Sequence, residues 1–129
     1  MIRIKIITPE GLYKESETSI INVTSVDGER GILPNHMPTV FMMDIGKLEI
    51  EENGNREQFA IDGGMFYFEN NEASLFVNAI EAKHEIDVDR AVSSKERQLK
   101  RLSSKDENID MKRAEIALKK ALNRIKIAG

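Results

Sequence analysis

Glu85-Ile86-Asp87-Val88-Asp89-Arg90-Ala91 is where this chain changes its period. Upstream, apolar and polar residues alternate in twos, and turn residues interrupt them every few positions. Downstream, from Asp87 to about Ser103, there is no Gly or Pro, and Val88, Ala91, Val92, Leu99 and Leu102 fall near one helical face. A second helical pattern runs from about Asp110 to Ala128, with Met111, Ala114, Ala117, Leu118, Ala121, Leu122, Ile125 and Ala128 as its stripe. The opening motif returns there as Ile109-Asp110-Met111-Lys112-Arg113-Ala114. Asp87 and Asp110 read as N-caps, their carboxylates accepting backbone N–H bonds at the positive end of each helix. Ile86 and Ile109 precede the caps, where an apolar residue packs back as a staple. The polar stretch Ser104-Lys105-Asp106-Glu107-Asn108 is short, so the helices are expected to lie antiparallel.

Working back from the junction, residues 1–84 read as short strands. Arg3-Ile4-Lys5-Ile6 alternates, and so does Lys47-Leu48-Glu49-Ile50-Glu51, which reads as a strand with one face in water. Thr18 to Val26 is rich in β-branched residues. Gln58 to Asp62 and Ala73 to Val77 continue the pattern. Asp27-Gly28, Glu52-Asn53-Gly54-Asn55, Asp62-Gly63-Gly64 and Glu69-Asn70-Asn71-Glu72 read as turns between strands. The expected architecture is an N-terminal antiparallel β-sandwich (1–84) followed by a C-terminal two-helix antiparallel hairpin (85–129). The segment Gly31-Ile32-Leu33-Pro34-Asn35-His36-Met37-Pro38 resists a strand reading. Two prolines remove backbone donors and hold their predecessors extended, so an ordered loop is expected.

The chain has 129 residues and a net charge of −3. That charge is divided unevenly. Residues 1–84 hold 7 Lys+Arg against 14 Asp+Glu, a net −7, and residues 85–129 hold 12 against 8, a net +4. The basic tail is either a solvated helical surface or a surface for anionic groups: acidic protein, phosphate or its own head. Each alanine of its stripe buries little area, at about 25 cal/mol per Å². The hairpin is therefore expected to be marginal alone and to pack on the head or on another protein.

Composition closes several routes to function. There is no cysteine, which removes disulfides and thiolate metal sites and points to a reducing compartment. Met1-Ile2-Arg3-Ile4-Lys5 is not the start of a signal peptide, and no run of about 18 uncharged apolar residues is present. His36 and His84 are the only histidines, one in the proline loop and one at the junction, a poor basis for a metal site. No phosphate loop, dinucleotide fingerprint or nucleophile elbow appears. A small hydrolase built on His36 lacks a nucleophile and an orienting acid. An acidic head and few aromatics disfavour nucleic acid.

Taken together, Val26-Asp27-Gly28-Glu29-Arg30-Gly31-Ile32-Leu33-Pro34-Asn35-His36-Met37-Pro38 and Ile61-Asp62-Gly63-Gly64-Met65-Phe66 resemble the two head motifs of the epsilon subunit of bacterial F-type ATP synthases. Ile86-Asp87-x-x-Arg90-Ala91 and Ile109-Asp110-x-x-Arg113-Ala114-Glu115 are similar to that family's tail. The likeness covers essentially the whole chain in order. It implies a non-catalytic central-stalk subunit, which couples ion-driven rotation to ATP synthesis and inhibits ATP hydrolysis through its C-terminal helices. It implies a gamma subunit, the membrane c-ring and the catalytic alpha/beta subunits as partners. It places the chain peripherally at the cytoplasmic face of the bacterial cell membrane, without insertion. Glu29, Arg30 and His36 match the loop that meets the ring. Ile86, Asp87, Arg90, Ala91, Arg97, Lys120 and Arg124 match a regulatory ATP site, so no cofactor is required and ATP is a possible regulatory ligand. Lys120 stands where nucleotide-binding relatives carry Arg, which keeps the charge but loses the planar fork. A stand-alone ATP-sensing module is the alternative reading.

Overall fold

The computed structural model describes residues 1–104 and 108–129. Eight strands come first: β1 (Ile2–Thr8), β2 (Gly11–Thr18), β3 (Ile21–Ser25), β4 (Gly28–Ile32), β5 (Thr39–Glu52), β6 (Asn55–Glu69), β7 (Glu72–Val77) and β8 (Ile80–Ala82). A 3₁₀ turn at Lys83–Glu85 leads into α1 (Val88–Leu102) and then α2 (Met111–Ala128). The strands are hydrogen-bonded in the order β2-β1-β7-β6-β5-β3-β4, with β8 added to β6.

Two long strands make this path a sandwich. The second half of β6 pairs with β7, from Gly64↔Val77 to Glu69↔Glu72, and its first half pairs with β8, from Phe59↔Ala82 to Ile61↔Ile80. β5 pairs with β6 along nearly its whole length. Both strands thus serve both layers. Ile2, Ile4 and Ile6 alternate inward from β1 and meet Ile21, Val23, Leu48, Ile50, Phe59, Phe66 and Leu75 in one buried core.

Three strand readings change. The expected turn at Asp62-Gly63-Gly64 lies inside β6. Gly63 and Gly64 do take positive φ, 98° and 140°, but the chain bends there between its β8 and β7 partners and does not reverse. Thr18 to Val26 is not one strand: Thr18 ends β2, and its hydroxyl donates to the carbonyl of Ile20 and accepts from the backbone N–H of Glu51, closing the corner before β3. The sheet is also not wholly antiparallel, because β1 pairs with β7 in parallel, Arg3↔Glu72 to Ile7↔Phe76. The connection between those two strands runs through most of the head, so no turn signal announces it.

One charged residue is misjudged by simple alternation. Glu49 was expected on a wet face, yet it is only 7% exposed. Arg56 Nη1 and Gln58 Nε2 donate to its two oxygens at 2.8 and 2.7 Å. These hydrogen bonds, led by that of Gln58, hold its carboxyl below the ordinary range against the opposing effect of burial.

Both expected caps form. Asp87 Oδ1 accepts from Arg90 N, and Asp110 Oδ1 from Arg113 N, each at 3.0 Å. Arg90 and Ser94, early in α1, line a cavity with Ala117, Lys120, Ala121 and Arg124, late in α2, as an antiparallel pair requires. The α1 stripe is thinner than expected: Ala91 and the polar Gln98 are buried, while Val88 and Leu99 stay exposed. Residues 105–107 of the expected linker lie outside the described residues. Ile86, the expected staple, packs in a cluster with Ala60 of β6 and with Ile127 and Ala128 of α2. It thereby seals the hairpin to the head.

Candidate functional site

Two surfaces stand out, one between head and hairpin and one on the bare side of the head. At the first, α2 lies over β5 and β6. Helical spacing turns Lys119, Lys120, Asn123, Arg124 and Ile127 to one side of α2. Lys119 Nζ donates to Asp44 Oδ2 of β5 at 2.9 Å. This hydrogen bond holds the Asp44 carboxyl below the ordinary range. Lys120 Nζ is 3.5 Å from Asp62 Oδ2 of β6. Arg124 meets Glu81 of β8 through both oxygens, Nε at 2.7 Å and Nη2 at 3.0 Å, the bidentate geometry that suits a guanidinium. Asn123 Nδ2 donates to the carbonyl of Gly46 at 2.9 Å.

The same region encloses a cavity of about 410 Å³, lined by Asp62, Ile80 and Glu81 from the head and by Arg90, Ser94, Lys120 and Arg124 from the hairpin. Of the seven residues expected to form a nucleotide site, Arg90, Lys120 and Arg124 are brought together here. Ala91 is fully buried, Ile86 sits in the apolar seam, and Asp87 is engaged in capping α1. Arg97 is exposed and does not line the cavity. The volume is within the range of small-ligand pockets, and two guanidiniums, an ammonium and the Ser94 hydroxyl are suitable phosphate donors. Two of those cations already face head carboxylates.

The proline loop takes a fixed course. Asn35, at φ 67°, exchanges hydrogen bonds with Asn71 of the β6–β7 turn: Asn35 N donates to Asn71 Oδ1 at 2.6 Å, and Asn71 Nδ2 to Asn35 Oδ1 at 3.0 Å. His36 stands edge-on to Phe68, with centroids 5.9 Å apart. The three residues expected to meet the ring are not one cluster. Glu29 accepts from Thr24 Oγ1 at 2.6 Å, while Arg30 lies 4.7 Å over the Phe41 ring. Leu33 and Met37 at the loop tip are exposed.

The second surface was missed at the level of sequence. Val40 and Met42 of β5, Met65 and Tyr67 of β6, and Phe76 of β7 share the outward side of three neighbouring strands. The register gives Val40↔Tyr67, Met42↔Met65 and Met65↔Phe76, and the Tyr67 and Phe76 rings meet edge to face at 5.7 Å. Val40 is 58% and Met42 57% exposed. A contiguous apolar patch of this kind marks a contact surface. The signal was present: Val40-Phe41-Met42-Met43 and Met65-Phe66-Tyr67-Phe68 are apolar on both parities, the mark of strands covered on both sides.

A sandwich with a bare apolar face, carrying a basic hairpin folded onto its acidic side, defines a two-domain docking subunit. Comparison with known proteins agrees over the whole length. Residues 1–83 match the family described as "ATP synthase, Delta/Epsilon chain, beta-sandwich domain", and residues 84–129 match "ATP synthase, Delta/Epsilon chain, long alpha-helix domain". The ATP synthase epsilon chain of Desulforamulus reducens is 40% identical over 126 residues, covering 98% of this chain and 96% of its own. That of Halalkalibacterium halodurans is 37% identical over 129 residues, covering 99% and 97%. Among solved structures, a chain of the Euglena gracilis mitochondrial ATP synthase OSCP/F1/c-ring assembly is 25% identical with a TM-score of 0.85, covering 95% of this chain and 78% of that one. A chain of the Tetrahymena thermophila central stalk and c-ring shares the fold, with a TM-score of 0.69 at 15% identity, covering 99% and 96%. The chain belongs to the ATP synthase delta/epsilon chain family, as a non-catalytic stalk subunit peripheral to the membrane. No helix among the described residues is long and apolar enough to cross a membrane.

Proposed function

We propose that this chain docks its head on a gamma-type stalk subunit and on the membrane c-ring, and that its hairpin restrains ATP hydrolysis by the alpha/beta subunits. The observation that carries the docking role is the apolar face of Val40, Met42, Met65, Tyr67 and Phe76, contiguous across three neighbouring strands, the kind of patch that marks a contact surface. Leu33, Met37 and His36, at the tip of the fixed loop, together with Glu29 and Arg30, provide the ring contact. In this reading the assembly sits at the cytoplasmic face of the bacterial cell membrane, and the likeness to bacterial epsilon chains supports it.

The hairpin is the regulatory part. Its seat on the head is a small apolar seam and a few polar contacts, so it lifts at low cost. Val88, Leu99, Ile116 and Leu122 are exposed on it while it lies down, and they are available to the catalytic subunits once it is raised. ATP is a regulatory ligand of the junction cavity in this reading, with Arg90, Lys120 and Arg124 holding its phosphates and Ser94 donating to them. Truncation after Lys83 tests the assignment. The shortened chain should still assemble, and the complex should hydrolyse ATP faster. Unaltered hydrolysis in such a complex would sink the inhibitory role.

A further inference from the structure

We propose that Asp44, Asp62 and Glu81 form an electrostatic latch that holds the hairpin down with no nucleotide bound. The inference rests on the regulatory reading of the hairpin and adds what sets its resting position. The apolar seam consists of Ala60, Ile86, Ile127 and Ala128, two of them alanines. The polar side of the same interface is denser. Within six residues of α2, Lys119, Lys120, Asn123 and Arg124 each find a partner on the head, and those partners come from β5, β6 and β8.

The geometry separates this arrangement from chance surface pairing. Glu81 and Arg124 are each about three-quarters covered and joined by two hydrogen bonds. The Asn123 bond to the Gly46 carbonyl holds the axial position of α2 at which Lys119, Lys120 and Arg124 meet Asp44, Asp62 and Glu81. Lys120 and Arg124 are also the cations that a ligand phosphate in the junction cavity would use. Asp62 and Glu81 line that cavity and already pair with these cations. The acidic surface of a partner reaches these cations by displacing the head carboxylates. Lifting of the hairpin is therefore an exchange of anions, and the head competes for the charges that the tail would present elsewhere.

The chain has no cysteine, so spin labels can be directed to Lys5→Cys on β1 and Lys112→Cys on α2, both exposed. The distance distribution of the full-length chain is then read without nucleotide, at low and at high salt. The expected result at low salt is one population at the docked distance. Asp62→Asn with Glu81→Gln should raise the open population on the order of tenfold, the sum of two partly exposed pairs. High salt should move the unsubstituted chain the same way and the double variant much less. The charge swap Glu81→Arg with Arg124→Glu should return the hairpin to its seat, which separates charge from altered packing. An unchanged distribution in the double variant, a swap that stays open, or a docked population that appears only with added ATP would each overturn the latch. The readout is the tail position in the free chain. A failed latch therefore leaves the hydrolysis test untouched, and hydrolysis unaltered by truncation would leave the latch standing.

Discussion

Single residues decide where this head bends and what its sheet can bury. A Cβ built on Gly64 collides with the carbonyl oxygen of Phe76 on β7, and its φ of 140° is closed to other residues. Gly64→Ala therefore faces a backbone atom that cannot rotate away. The expected cost is about 3 kcal/mol or more, from overpacking and strain together, measurable as a lower denaturation midpoint of the chain. Glu49 shows the opposite case, a buried charge that is satisfied. Its carboxyl is held below the ordinary range, so its contribution is full above about pH 4 and is lost as pH falls through the lowered value. Stability of the unsubstituted head should fall on acidification in that window. Glu49→Gln should cost about 1–3 kcal/mol at neutral pH, because one of the two accepting oxygens becomes an NH2 group that faces a donor, Arg56 or Gln58, and should flatten the acid limb. An acid limb of the same steepness in Glu49→Gln would assign it to other carboxylates.

At the scale of elements, the helices were the most legible part, because their signals are local. Asp87 and Asp110 cap as their sequence position implies, and Asp87→Ala should cost about 1 kcal/mol of hairpin stability. Hydrogen exchange would detect this as faster exchange in the first turn of α1, with β1 and β7 unaffected. The strands were legible as strands but not in their pairing. Gly63-Gly64 has the φ values of a turn, and only the switch of partner from β8 to β7 shows that it is a bend. The parallel β1–β7 pair joins residues roughly seventy positions apart, beyond the reach of any periodicity. Glu49 was assigned to water because alternation reports which side a residue faces and not what covers that side. The candidate site divided in the same way. Arg90 could be named because it lies in the local Ile86–Ala91 motif, and Lys120 and Arg124 only through the likeness to the family's tail. Their partners Asp44, Asp62 and Glu81 could not, since the acidic head offers fourteen carboxylates and no local pattern marks three of them.

For the molecule as a whole, the fold leaves two opposed demands on one small head. Its acidic side receives the hairpin, and its apolar side remains open for the stalk. Substitution on the open side separates docking from folding, because Met42 and Tyr67 point outward and the core residues Phe41 and Phe66 behind them are already stacked, with centroids 4.5 Å apart. Tyr67→Glu places a carboxylate in the middle of the patch, beside Phe76. The free chain should keep its melting temperature within a few degrees, since little buried area is lost. Affinity for the gamma-type subunit should fall about a hundredfold or more, the loss expected when a central aromatic anchor is replaced by an unpaired charge. Titration of the purified stalk partner, with the melting temperature of each variant as a control, gives both numbers. Equal affinity at an unchanged melting temperature would move the docking surface elsewhere, to the β2 edge or the proline loop. A loss at Tyr67→Glu with no loss at Leu12→Glu, on the exposed far edge of β2, would confine it to the β5–β6–β7 face.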